Sequence, residues 1–125
     1  MTWDVLFHDA FDAEFEEFPE DVREELLARA GMLQEFGPSL GRPAVDTLNG
    51  SKHDNMKELR FRANDGVWRV AFAFDPKRNA ILLTAGDKSG GSEDRFYRRL
   101  IKKADERFDS HLRQIKKELQ KAKGK

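Results

Sequence analysis

The sequence predicts an α+β fold: a small, mainly antiparallel sheet with N-terminal helices packed on one face and a long C-terminal helix. Three observations carry this. Residues 55–91 read as three short strands joined by tight turns, residues 9–36 place apolar side chains at helical spacing, and a second helical repeat runs from Phe96 to Leu119.

Trp3 to His8 is short and apolar-rich, which fits a first strand. From Asp9 to Phe36, Phe11, Phe15, Phe18, Val22, Leu26, Ala30 and Leu33 recur every three or four residues, the mark of helix packed on a core. Pro19 divides this stretch. Proline is tolerated in a first helical turn and disruptive further in, so a short helix precedes it and a longer one follows, ending at Gly37-Pro38. Residues 37–54, rich in Gly, Pro, Asn and Ser, form a connecting loop and the expected mobile segment, from which Arg42, Lys52 and His53 can reach a ligand from the side.

Strand side chains alternate between faces. One face then carries Leu59 and Phe61, next Trp68, Val70, Phe72 and Phe74, and finally Ile81, Leu83 and Ala85, joined through turns at Asn64-Asp65-Gly66 and Asp75-Pro76-Lys77-Arg78-Asn79. The opposite face carries Glu58, Arg60 and Arg62, then Arg69, Ala71 and Ala73, with Thr84 and Lys88 on or just after the third strand. Small residues there allow a concave surface rimmed by cations. The pattern leaves two readings open: the solvated side of an ordinary antiparallel sheet, or a site for an anionic ligand.

Ser92 can cap the last helix, whose first turn is acidic as the helix dipole favours. Phe96, Leu100, Ala104, Phe108, Leu112, Ile115 and Leu119 share one face. A helix from Glu93 to Lys121 is about 43 Å long, more than such a domain needs, so the basic tail from about residue 113 is expected to project or fray.

Residues 1–125 fit one domain with a single modest core. The absence of cysteine removes disulfides and thiolate metal sites and agrees with a reducing cytoplasm. No leader pattern or membrane span is visible, so a cytoplasmic protein without membrane contact is expected. The formal net charge of zero conceals polarity: residues 1–35 hold eleven acids against Arg23 and Arg29, a net −9, and the remainder carries +9. That asymmetry places a basic surface apart from an acidic one. His8, His53 and His111 lack ligand spacing, so no metal is expected, and Gly86-Asp87-Lys88-Ser89 lacks the order of a nucleotide phosphate loop. Neither a G-x-S-x-G elbow nor a cysteine nucleophile is present, and no cofactor is implied.

The order K-E-L-R-F, G-V-W-R-V-A-F, I-L-L-T-A-G-D-K-S-G and then F-Y-R-R-L-I in a helix resembles the RelE/ParE superfamily of type II toxin-antitoxin toxins, in particular its phage Gp49-like HigB branch. The resemblance runs from Trp3 to about His111. It implies a RelE-like fold and a metal-independent endoribonuclease that cuts messenger RNA on the ribosome, inhibits translation and is restrained by a cognate helix-turn-helix antitoxin. Operator DNA would be met only through that antitoxin.

Cleavage by the neighbouring 2′-hydroxyl needs a proton acceptor, cations for the charging phosphate, and a partner for the departing 5′-oxygen. By position in the family, Arg69 matches the arginine of the central strand, Arg60 a basic residue of the preceding strand, Lys88 the basic residue after A-G, and Tyr97 a catalytic tyrosine. Lys57, Arg62 and Arg78 complete the expected RNA-binding set. Where RelE carries lysines this chain offers Glu58 and Arg60, so Glu58 stands either as a base or as an ion-pair partner of Arg60 or Arg69. Tyr97 has core packing beside Phe96 as its other role, and Trp68 reads as core. Two alternatives remain: a gyrase inhibitor of the ParE type, and a catalytically inactive module that only binds antitoxin.

Overall fold

In the computed structural model, which describes residues 2–123, the chain runs β1 (Asp4–Phe7), α1 (Asp9–Phe15), α2 (Glu20–Phe36), a 3-10 turn (Gly37–Ser39), β2 (Val45–Thr47), β3 (Met56–Ala63), β4 (Gly66–Phe74), β5 (Asn79–Asp87) and α3 (Glu93–Lys123). Pro19 stands at the N-cap of α2, where its missing N–H leaves no hydrogen bond unmade. The sheet order is β1-β5-β4-β3-β2. Every neighbouring pair is antiparallel except β1 with β5, so the sheet is mixed. The β3–β4 hairpin turns on Asn64 and Asp65, both with positive φ (51° and 58°), the backbone that matches the twist of paired strands. β2, three residues long, lies inside the segment expected to be loop. Too short to show alternation, it nonetheless pairs with β3 from Val45↔Leu59 to Thr47↔Lys57.

α1 and α2 cover one face of the sheet. Phe11, Phe15, Val22, Leu26 and Leu33 meet Leu59, Phe61, Trp68, Val70 and Phe72 there, with Phe18 5.1 Å from the Trp68 ring. Ile81 and Leu83 do not join this row as strict alternation predicts. The β4–β5 register shifts at Ala71/Phe72, which pair with Thr84 and Leu82 and leave Leu83 as the extra residue of a bulge. Ala80 and Leu82 face α1 and α2, and Ile81 and Leu83 face α3.

The opposite face is not an open concave surface. α3 lies across it, and Ala71 and Ala73 are small because Leu100, Ala104 and Phe108 pack over them. Polar ties hold the helix down. Arg107 makes a two-point contact with Glu14 (2.8 and 2.7 Å) and donates to the Leu83 carbonyl. Loop residues Ser51, Lys52 and His53 reach Asp105 and Asp109, which ties the supposed mobile segment to α3. Ser92 caps the helix through the Arg95 N–H. Beyond Ile115 the helix is exposed, with one ion pair from Lys77 to Glu118 at 2.9 Å. No helix among the described residues is long and apolar enough to cross a membrane.

Asp75, at the β4–β5 turn, joins the two layers. Its carboxylate accepts from the N–H groups of Lys77 and Asn79 and bonds His111 on α3 at 2.7 Å. Burial acts to raise its pKa, but the His111 contact and the turn N–H groups prevail and hold it below the ordinary value. A depressed folded pKa contributes stability that is present above the unfolded value, about 3.9, and is lost as pH falls through the folded value. Denaturant melts should therefore lose stability steeply below about pH 4. Asp75→Asn should be less stable at pH 7 and flatter across that window; an unchanged acid slope would remove Asp75 from the account.

Candidate functional site

The β3–β4 register sets Arg60 directly across from Arg69, on the side of the sheet that α3 covers. Two like charges across a strand pair repel, and Glu58, next but one along β3, compensates them. One oxygen of Glu58 accepts from Arg60 Nε and lies 2.9 Å from its terminal nitrogen. The other accepts from the Tyr97 hydroxyl at 2.9 Å and stands 3.8 Å from Arg69 Nε. Arg69 in turn donates to the Tyr97 oxygen at 3.3 Å and to the Trp68 carbonyl at 3.0 Å. The Glu58 side chain is only 4% exposed and that of Arg69 11%, whereas Arg60 is 36% exposed and presents its guanidinium to solvent.

Burial raises the Tyr97 phenol above its ordinary value; the Arg69 hydrogen bond opposes this and Glu58 reinforces it. Tyr97 is therefore a neutral proton donor at pH 7. Burial acts to lower the Arg60 guanidinium, and Glu58 overcomes it and holds the group above its usual value.

Lys88 arrives from the end of β5, where its N–H donates to the Val67 carbonyl. Its ammonium pairs with Glu93 at 2.7 Å and lies 5.9 Å from the centre of the Tyr97 ring. The Lys88 contact lowers the Glu93 carboxyl below its usual range. Gly86, paired with Arg69, allows this close approach of strand and helix: a Cβ there would stand 2.9 Å from Phe96 Cε1. Across the cleft, Asp46 of β2 takes a 3.1 Å bond from Arg42 and lies 3.6 Å from Arg60. The Thr47 N–H, first among its partners, holds Asp46 below the ordinary value. The resulting cleft, about 350 Å³, is bounded by Asp46, Thr47, Glu58, Arg60, Glu93 and Tyr97.

Five of the residues singled out from sequence, Glu58, Arg60, Arg69, Lys88 and Tyr97, thus come together. Of the loop residues, Arg42 reaches the cleft through Asp46, whereas Lys52 and His53 are tied to α3, and the expected RNA-binding set is placed differently. Arg62 is exposed on the same face one step further along β3. Lys57 pairs with Phe72 and so shares the α1/α2 face with Leu59, away from the cluster. Arg78 lies at the opposite end of the β4–β5 hairpin, its guanidinium stacked 4.7 Å over Trp3. Asp46 carries no local signal in the sequence, and Glu93 reads there only as part of the acidic first turn of the last helix; both reach the cleft through tertiary packing.

The family model described as "Phage derived protein Gp49-like" matches residues 13–109. The chain belongs to this Gp49-like family. Two Mycobacterium tuberculosis proteins named as toxins, HigB2 and HigB3, are 47% identical over 96 residues and 45% identical over 92 residues. These alignments take in 76% and 74% of the chain. The chain spans about half the length of the first relative (47%) and 78% of the second.

Two solved structures share this Gp49-like chain's fold. An Escherichia coli toxin RelE mutant in the free state superposes with a TM-score of 0.59 at 15% identity, covering 81% of this chain and 95% of that one. A chain of an archaeal RelE-RelB complex from Pyrococcus horikoshii gives 0.52 at 20% identity, covering 73% of this chain and 100% of that one. The expected α+β, RelE-like architecture is the one observed.

Proposed function

We propose that this Gp49-like chain is the toxin of a type II toxin-antitoxin system and acts as a ribosome-dependent, metal-independent endoribonuclease on messenger RNA. The observation that carries this reading is the convergence of Arg60, Arg69 and Tyr97 on Glu58, with Lys88 beside the Tyr97 ring. The toxin names of its relatives support the class, and the RelE-RelB complex supports a partner antitoxin, here of the helix-turn-helix type. Operator DNA is reached only through that partner.

Chemically, the 2′-hydroxyl gives its proton to solvent water as its oxygen bonds phosphorus and the bond to the 5′-oxygen breaks, and the guanidiniums of Arg60 and Arg69 and the ammonium of Lys88 offset the charge that builds on the phosphate. Tyr97, neutral and oriented by Arg69 and Glu58, gives its proton to the departing 5′-oxygen. Glu58 has an oxygen committed to each partner, which makes it the clamp of Tyr97 and Arg60. The described residues bring together no group of three His, Asp or Glu side chains able to hold a metal ion.

Each cation of the cluster already faces a carboxylate of its own chain: Arg60 and Arg69 face Glu58, and Lys88 faces Glu93. A phosphate must compete with Glu93 for Lys88, so the cluster by itself holds free RNA weakly and the ribosome supplies the strand in place. The test is induction without the antitoxin, with message 5′ ends mapped and gyrase supercoiling measured in parallel. New 5′ ends within translated messages and unchanged supercoiling are expected. Inhibited supercoiling without cleavage would assign the chain to the gyrase-poisoning class, and rapid cutting of naked RNA by purified protein would remove the ribosome dependence.

A further inference from the structure

A second cleft of about 440 Å³ lies on the other side of the α3 N-terminal half, between that helix and the end of β5. Its α3 wall carries Arg95, Arg99 and Lys103, one residue per helical turn and so about 6 Å apart along one face, beside the apolar Phe96 and Leu100. Arg95 and Arg99 are exposed and pair with no carboxylate among the described residues, and Lys103 has only Glu14 at 3.8 Å. The one acid in the wall, Asp87, keeps its charge, its Oδ1 accepting from the hydroxyl and N–H of Ser89 and the N–H of Val67, and is outnumbered by the three cations on α3. The cluster around Glu58 is internally neutralised, whereas this cleft keeps its positive charge. The two meet at Lys88, which borders the second cleft and lies 5.9 Å from the Tyr97 ring.

We propose that this second cleft is a binding track for the phosphodiester backbone of single-stranded RNA, with Arg95, Arg99 and Lys103 meeting successive phosphates and Lys88 passing the strand to Tyr97. The inference rests on the nuclease reading and extends it to residues that the site itself does not contain. An acidic peptide is the other chemistry such a cleft could take. β1 pairs with β5 only as far as Leu82, so the edge of β5 beyond it has no strand partner. RNA is favoured because the cations repeat along the helix in a row that continues into the Lys88–Tyr97 contact.

The test measures binding of a short fluorescein-labelled single-stranded RNA to the purified chain across a salt series. Arg95→Gln/Arg99→Gln should weaken binding about tenfold at low salt and flatten the log–log salt slope by about 1.4, since each phosphate contact on a single strand contributes roughly 0.7. Arg95→Lys/Arg99→Lys should keep the slope. Both residues are exposed, so the variants should melt as the parent does. An unchanged slope in the Gln double variant would overturn the track, as would a glutamate-rich peptide of equal charge binding more tightly than the RNA. Either result leaves the nuclease reading intact if Arg69→Ala still abolishes message cleavage. A lost slope in a chain that cuts no message would instead retain the track and overturn the nuclease.

Discussion

Arg69→Ala should abolish growth arrest on induction and lower message cleavage by roughly 10²- to 10³-fold, the range for removing one preorganised donor from a developing anion. Arg69 is nearly buried, and the substitution also removes its bonds to the Trp68 carbonyl and the Tyr97 oxygen. That loss costs about 1–2 kcal/mol of stability and lets the phenol shift. Glu58 keeps Arg60 as its partner, so no buried charge is stranded and the chain still folds. Growth inhibition should be read beside a thermal melt. A folded Arg69→Ala chain that still arrests growth would sink the site. Arg69→Lys should recover only part of the activity, because an ammonium cannot bond the Tyr97 oxygen and a phosphate from one planar fork.

The sequence carried the elements further than it carried their faces. Helical spacing around Pro19 gave α1 and α2 because proline at a helix start leaves a boundary on the chain itself. Arg60, Glu58 and Arg69 were legible because they alternate with Leu59, Phe61, Trp68 and Val70 on regular strands. A bulge is invisible to a period of two, and the one at Leu83 sent Ile81 and Leu83 to the α3 side. The same limit made Ala71 and Ala73 look like the floor of an open groove when they are the seat of α3. Lys57 and Arg78 drew notice by charge alone, and charge does not report which face or which end of a hairpin a residue occupies. Asp46 and Glu93, whose carboxylates border the cleft, come from a three-residue strand and a helix first turn.

Glu58 separates two accounts of the chemistry, and two substitutions distinguish them. Glu58→Ala removes the carboxylate between two guanidiniums that face each other across β3 and β4 and strips the Tyr97 hydroxyl of its acceptor. Breaking a buried pair costs about 3–5 kcal/mol. Arg60 is more than a third exposed, and water offsets part of that loss, so a penalty of about 2 kcal/mol and a melting point lower by about 5–10 °C are expected. Glu58→Gln keeps an oxygen to accept one of these bonds and gives up the charge. If Glu58 is the clamp that its occupied oxygens indicate, the Gln variant should retain cleavage within about tenfold, with the shape of its pH profile unchanged. If Glu58 takes the 2′-hydroxyl proton, Gln should cut about a thousandfold more slowly and the acidic limb of the profile should vanish. Cleavage of a translated message measured against pH, with the Gln variant shown to be folded by its melt, decides between a residue that holds Tyr97 and Arg60 in place and one that accepts the proton itself.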